Sequence, residues 1–293
     1  VIYRDSITNL EYIRPSTEIA EKGMFFTLSA YQYQVFLDFR QVQDDQWGSY
    51  RQLCQYLEGR GVPSVEGAMR ELLLAPVQQP FRYIANAGYF NYLFNNRLST
   101  EKSKLPDHLL DEAAKKMSDF LSGIKYLTGH ASQHEHILAS LRNDLQTTLA
   151  LPIMDQWLPG IGSGKYQRAV EYLLKHLDTD AEYWITLFNW VFIRNLGKVT
   201  GTEDDINQTI SWLDEWQLQR ILRENAKSMG LSEAQANRSL LSRRLLVTHQ
   251  GWYEKLGHLP TLKIVQGWLA ELDIQGFLGV NRYQDKLWFN QES

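Results

Sequence analysis

Hydrophobic and polar positions change period once along this chain, and the change falls near Asp44. From Tyr31 to Val42 the sequence YQYQVFLDFRQV sets Tyr31, Tyr33, Val35, Leu37 and Phe39 on one side of a period-2 pattern. Gln32, Gln34, Asp38 and Arg40 take the other side, with Phe36 as the exception. Such alternation predicts a half-buried β-strand over 31–42. Upstream, Val1 to Arg4 and Glu11 to Arg14 flank the polar turn DSITN and read as a hairpin or two edge strands. STEIAEK reads as a short helix opened by Pro15 and Ser16 and stopped by Gly23. Met24 to Leu28 reads as a further strand. Four short strands do not close a sandwich alone, so they are expected to complete a β-domain whose other strands precede Val1.

Beyond Asp44 the apolar spacing is helical. Trp47, Tyr50, Leu53, Cys54 and Leu57 share one face of a helix ended by Gly59 to Gly61, and Ser64 caps the next. Pro76 and Pro80 are expected to bound a connector, followed by one or two short helices to Asn95 with a break near Gly88. Arg97 to Pro106 is polar, aperiodic and the best linker or exposed loop. Asp107–Thr128 and Ser132–Leu149 predict a helical hairpin turning at Gly129. Leu151 to Gly164 predicts a second irregular loop, and Lys165 to His176 a helix. Thr179 and Glu182 form a capping-box pattern before Ala181 to Asn195. In that helix apolar residues cover every side, so Trp184, Phe188 and Val191 are expected at the centre of the helical core. A helical stretch with a break runs from Thr202 to Met229. Ser232 caps a helix to about Val247, and Thr261 caps one more with Ile264, Val265, Trp268 and Leu269 inward. The predicted fold is mainly α. A multi-helix domain, residues 43–293, is preceded by a few β-strands, residues 1–42, that complete a β-sandwich, and strand is expected only in the first 42 or so residues.

Composition narrows the function classes. The chain has 293 residues, 44% of them hydrophobic, and a net charge of −4. It shows neither the basic surplus of a nucleic-acid binder nor a polybasic membrane patch. No apolar run approaches the roughly 18 residues of a membrane span. The single Cys54 allows no internal disulfide and suits a reducing, cytoplasmic setting. Both ends read as cut: Val1 falls inside a strand-like VIYR, and Asn290 is a helix cap with almost no helix after it. The expectation is a fragment of a longer polypeptide.

No complete catalytic motif is present. GIGSGKY at Gly160 to Tyr166 lacks the first Gly and the final Ser or Thr of a phosphate loop, being Pro159 and Tyr166 there, and reads as a flexible helix entry. His130 and His134 have metal spacing and His136 is close, but no third ligand is identifiable and a solvated helix end is the better reading. Asp44/Asp45 and Glu203/Asp204/Asp205 share only residue type with the carboxylate pairs of glycosidases. Both clusters stand at predicted helix starts, where they read as caps. Cys54 lies on an apolar stripe and reads as an inert buried thiol. No catalytic residue, metal or cofactor is assigned. Most of the nine Trp fall on helical stripes and belong to the core. Trp252 and Tyr253 follow Gly251 between predicted helices and are the candidate carbohydrate contact, with plugging of the core end as the alternative.

GMFFTLSAYQYQVFLDFRQVQDD resembles the close of the C-terminal β-sandwich in α-amylase-family glycosidases, where a Tyr-rich last strand follows the catalytic barrel. WGSYRQLCQYLEGRGVPSVEGAMRELLL and FLGVNRYQDKLWFNQE resemble the helical extension behind that sandwich in some large bacterial members. The resemblance implies a parent enzyme with a (β/α)₈ barrel bearing an Asp nucleophile, a Glu acid and a second Asp. None of the barrel motifs stands here, so no catalytic residue carries over. The chain is then expected to be the non-catalytic tail of an enzyme acting on α-glucan, its partner through the parent. A helical protein-interaction module without any carbohydrate connection is the alternative. An enzyme in its own right ranks third, since no nucleophile, base or metal constellation stands out.

Overall fold

The structure, a computed structural model, describes residues 1–130, 134–157, 168, 171–175, 181–252, 258–284 and 286–288. The chain divides into two units, Val1–Ala75 and Pro76–Ser293. Mainly helical architecture follows a small N-terminal antiparallel sheet, as the periodicity predicts.

In the first unit β1 (Ile2–Asp5) lies between β2 (Glu11–Ile13) and β3 (Phe36–Arg40). Ile2 stands opposite Ile13, and Tyr3 opposite Tyr12. Successive strand residues point to opposite faces. Ile2 and Ile13 therefore share one face, where they cluster with Leu53 and Leu57 of α2 (Ser49–Leu57) and with Val65 and Ala68 at the start of α3 (Val65–Ile84). Tyr3 and Tyr12 take the other. A short α1 (Ser16–Lys22) ends at Gly23 as expected and buries no residue.

The strand expected over 31–42 needs correction. Only Phe36–Arg40 is strand, and of these Phe36 alone is half-buried. The cause is a bulge. Ile2 pairs with Arg40 but Arg4 pairs with Leu37, so β3 spends one residue more than β1, and Asp38 adopts φ +56°. One extra residue reverses the side taken by everything beyond it. Phe36, the exception to the alternation, and Phe39 consequently both reach the Tyr3 ring, at 5.3 and 5.4 Å between centroids. Upstream, Tyr31 is left-handed at φ +64° in a turn closed by Gln32 N–H to Ser29 O, and Met24–Leu28 forms no strand.

The second unit opens inside α3. Pro76 and Pro80 were expected to bound a connector, yet both lie within this helix. Proline removes an N–H and costs helix stability. Here Val77, Phe81 and Ile84 are buried to 1% exposure or less, and that packing overrides the local preference. After α4 (Ala87–Asn95), capped by Asn86 Oδ1 accepting from Tyr89 N–H, come α5 (Leu109–Thr128) and α6 (His134–Ala150). These two form the predicted hairpin, tied by Arg142 to Asp111 at 2.5 Å. A 3₁₀ turn at Leu151–Ile153 and α7 (Met154–Trp157) occupy the start of the expected loop. GIGSGK and Thr179 lie outside the described residues.

α8 (Ala181–Ile193) is the core helix. Trp184, Phe188 and Val191 are at most 2% exposed. α9 (Asp205–Glu215) and α10 (Leu218–Ser228) break at Gln217, φ +55°, where Gln78 Nε2 donates to the Trp216 carbonyl. Ser232 and Gln235 make a complete capping box for α11 (Glu233–Thr248). In α12 (Thr261–Leu269) only Ile264 is buried, so the inward face expected to include Val265, Trp268 and Leu269 is narrower. α13 (Leu272–Phe277) follows. The confinement of strand to the first 42 residues is also corrected. Asn281–Tyr283 pairs with Lys286–Trp288 as a terminal hairpin, β4–β5, which turns at Gln284 with φ +49°.

Candidate functional site

Two aromatic groupings with exposed members stand out among the described residues, one in each unit. In the second unit Trp252 stands just past α11, its N–H donating to His249 O at 3.1 Å. Its ring meets Trp268 edge to face at 6.0 Å, and Trp268 meets His249 the same way at 5.9 Å. His249 Nε2 lies 3.0 Å from Glu271 Oε2, which ties the end of α11 to the residue before α13. Trp252 is 39% exposed, and its ring packs on Trp268. An open indole face is the surface that the C–H face of a sugar stacks on. Tyr253, the other half of the candidate contact, lies outside the described residues.

The first unit carries an aromatic layer that the sequence did not single out. Tyr3 stacks on Tyr12 at 5.6 Å, Phe36 and Phe39 pack on Tyr3, and Phe26 stacks on Phe36 at 4.2 Å. Tyr3 is buried, but Phe26 is 37% and Phe39 53% exposed. Phe25, Tyr31 and Tyr33 nearby in sequence are more open still. The layer was hidden because the bulge at Asp38 breaks the alternation. Phe36 as the exception was the only signal in the sequence.

Behind that layer, on the helix-facing side, Glu11 is buried among specific partners. Its Oε1 accepts from Arg4 at 2.9 Å and lies 3.5 Å from Arg40, and Oε2 accepts from the first N–H of α3, Val65, at 2.8 Å. Burial works to raise the Glu11 pKa. The Val65 N–H and the two guanidinium groups outweigh it and hold the carboxyl below the usual carboxylate value. This is a structural carboxylate that pins the sheet to a helix start.

Asp44, Asp45 and Asp204 are occupied by folding. Asp45 Oδ1 accepts from Trp47 and Ser49 N–H while Oδ2 accepts from Ser49 Oγ. Asp44 accepts from Tyr50 and Arg51 N–H, so together they cap α2. The Ser49 hydroxyl first, and the backbone donors after it, lower the Asp45 pKa. Asp204 accepts from the side chain of Asn207. Cys54 is half-buried against the first unit's core, and burial pushes its thiol pKa up, away from thiolate chemistry. His134 has a buried, unpartnered Nε2, and burial with the Lys125 charge lowers its pKa. Among the described residues no three His, Cys, Asp or Glu side chains come together as a metal site. No described helix is long and apolar enough to cross a membrane.

Comparison with protein-family models, characterised proteins and solved structures gives no match.

Proposed function

We propose that this chain is the non-catalytic C-terminal part of an α-amylase-like glycoside hydrolase or glucanotransferase acting on α-glucan in the cytoplasm. The observation that supports it most is the first unit's sheet. One face packs on helices, and the other presents a half-open layer of Tyr3, Tyr12, Phe26, Phe36 and Phe39. A β-sandwich half presents such a layer to its second sheet. In this reading the remaining strands and the barrel belong to the parent enzyme, and the helical unit stabilises it or positions glucan. Trp252 is the proposed glucan contact.

The test compares this chain with the polypeptide encoded by its whole reading frame. The longer protein is expected to release reducing sugar from starch and this chain alone to release none, because a glycosidase needs an acid and a second carboxylate spaced across the sugar. A longer protein without any α-glucan activity overturns the reading. For Trp252, tryptophan fluorescence titrated with maltoheptaose is expected to shift saturably in the wild type and not in a folded Trp252→Ala. No shift at millimolar sugar removes Trp252 from the proposal. A helical interaction module is the second reading, favoured by Leu259, Leu262 and Leu272, which are 47%, 66% and 81% exposed.

A further inference from the structure

Most of the apolar surface of α12 is turned away from the core. Of its sequence TLKIVQGWL only Ile264 is buried. Trp268, four residues on, lies on the same side and packs on His249 and Trp252. At about 3.6 residues per turn, Leu262, Val265 and Leu269 fall outside that inward side. Leu262 and Val265 are exposed, and Leu269 is half-buried. Leu259, before the helix, and Leu272, after it, are exposed as well. Single exposed leucines are ordinary, but a continuous apolar row marks an interaction surface.

The spacing states what kind of surface it is. Positions 262, 265 and 269 recur at i, i+3 and i+7, the pattern of the seam between two paired helices. A helix this short would not form a coiled coil alone in water. Here α12 is already held on its unit by Ile264 and Trp268, so the seam is presented ready-made.

Charge chooses the partner and its direction. Lys263 is exposed in the first turn of α12, where the helix dipole favours an acid, and it has no ion pair among the described residues. Glu271, at the other end, contacts His249 through Oε2 while its side chain stays 50% exposed. Two copies of α12 laid parallel would set Lys263 beside Lys263 and Glu271 beside Glu271. Laid antiparallel, they bring each Lys263 towards the Glu271 of the other copy. The stripe is thus self-complementary in sign as well as in shape, as a two-fold interface requires.

We infer that this stripe pairs with the same stripe of a second copy of the chain, α12 against α12, antiparallel about a two-fold axis at the level of Val265 and Gln266. That register sets Leu262 opposite Leu269 of the second copy and Leu259 at the level of its Leu272. The inference names what covers the leucines that favour the second functional reading, and it does not depend on glucan. The starch assay decides the glucan reading separately.

Sedimentation equilibrium of the full chain from about 1 to 100 µM tests it, with a reversible dimer expected at a dissociation constant below about 100 µM. Every substitution in a two-fold interface acts twice. Leu262→Asp and Leu272→Asp should each weaken the dimer about a hundredfold or more. Both side chains are exposed, so circular dichroism of the monomer should not change. Leu272→Asp keeps the test valid if Leu262→Asp loosens α12. Lys263→Glu, which sets like charges together on both sides, should weaken the dimer about tenfold. Tyr126→Asp, at an exposed aromatic on α5, should leave it unchanged. A wild type monomeric at every concentration overturns the inference and would leave the stripe to a different protein. A dimer that survives Leu262→Asp and Leu272→Asp, one that Lys263→Glu leaves intact, or one that Tyr126→Asp weakens equally would overturn it too.

Discussion

Gly123→Ala is the sharpest test of how the helical unit is packed. Gly123 is buried in α5, between Phe120, Leu121 and Ile124, all fully buried. A Cβ added there would sit 2.0 Å from Pro76 O, 2.8 Å from its carbonyl carbon and 3.4 Å from Val77 Cα. Pro80 explains why that carbonyl is available: it has no N–H to donate four residues back, so Pro76 O faces α5 without its helical donor. A carbon approaches a carbonyl oxygen to about 3.3 Å at closest, so the backbones would have to part by about 1.3 Å. That movement would open the contact between Phe81 and Phe120, whose rings stand 5.0 Å apart. Overpacking costs about 1–3 kcal/mol and occasionally more, and two backbones meeting at 2.0 Å argue for at least the upper end. Replacing a helical Gly with Ala returns about 1 kcal/mol. The net loss is about 2–3 kcal/mol, or about 4–12 °C in Tm for a unit of this size. Gly267→Ala, where nothing lies within 4 Å of the added Cβ, is the control and should gain up to about 1 kcal/mol. Guanidinium denaturation followed by circular dichroism measures both. A Gly123→Ala protein as stable as the wild type would refute the close approach of α3 and α5.

Trp184→Ala should cost about 3–5 kcal/mol by cavity formation, since Trp184 is 1% exposed and packs on Phe94 and Phe188. Near-wild-type stability would place α8 at the periphery. Arg243 is 1% exposed with Nε and Nη1 unpartnered, and burial pushes its pKa down to about 9, which leaves it charged at pH 7. Arg243→Met should therefore be neutral or stabilise by about 1–3 kcal/mol, and a clear loss in the same denaturation would show that the charge has a partner. Glu11 has a folded pKa below its unfolded value of 4.5. Its contribution is complete above that value and disappears as pH falls through the folded pKa. The wild type should lose more stability below about pH 4.5 than Glu11→Gln does, and parallel pH profiles would rule out this role.

Much of the helical part was legible because local signals and tertiary demand agree there. Ser232 with Gln235 at the start of α11, and an apolar residue on every side of α8, point to the same result from sequence and from packing. The failures occur where the two conflict. Pro76 and Pro80 mark a break by local rules, but Val77, Phe81 and Ile84 hold α3 through them, and the sequence cannot show that a glycine 47 positions later sits against the freed carbonyl. The same blindness affects Gly197, whose Cβ would fall 1.8 Å from Asp205 O and whose N–H donates to Thr209 Oγ1. Neither glycine has a positive φ; each is there because another backbone is close.

The chemistry-bearing places were less legible for a related reason. Glu11 is one carboxylate in a turn-flanking strand until Val65, 54 residues on, brings an N–H to it. Arg97 and Lys102 fall in a stretch whose polarity and lack of period read as linker, yet the Arg97 guanidinium lies over the Phe94 and Trp184 rings and Lys102 Nζ reaches Asn96 Oδ1. The place of Trp252 off any apolar stripe was visible in the sequence, and in the structure the residue is 39% exposed and packs edge to face on Trp268. The aromatic sheet face lay between these cases. A period-2 pattern was present, but one residue in the left-handed region, Asp38, shifted its second half and moved Phe39 onto the side of Phe36. A pattern with one misplaced member therefore points to a bulge as much as it speaks against a strand. In β3 that member, Phe36, marks the face on which the proposed second sheet would rest.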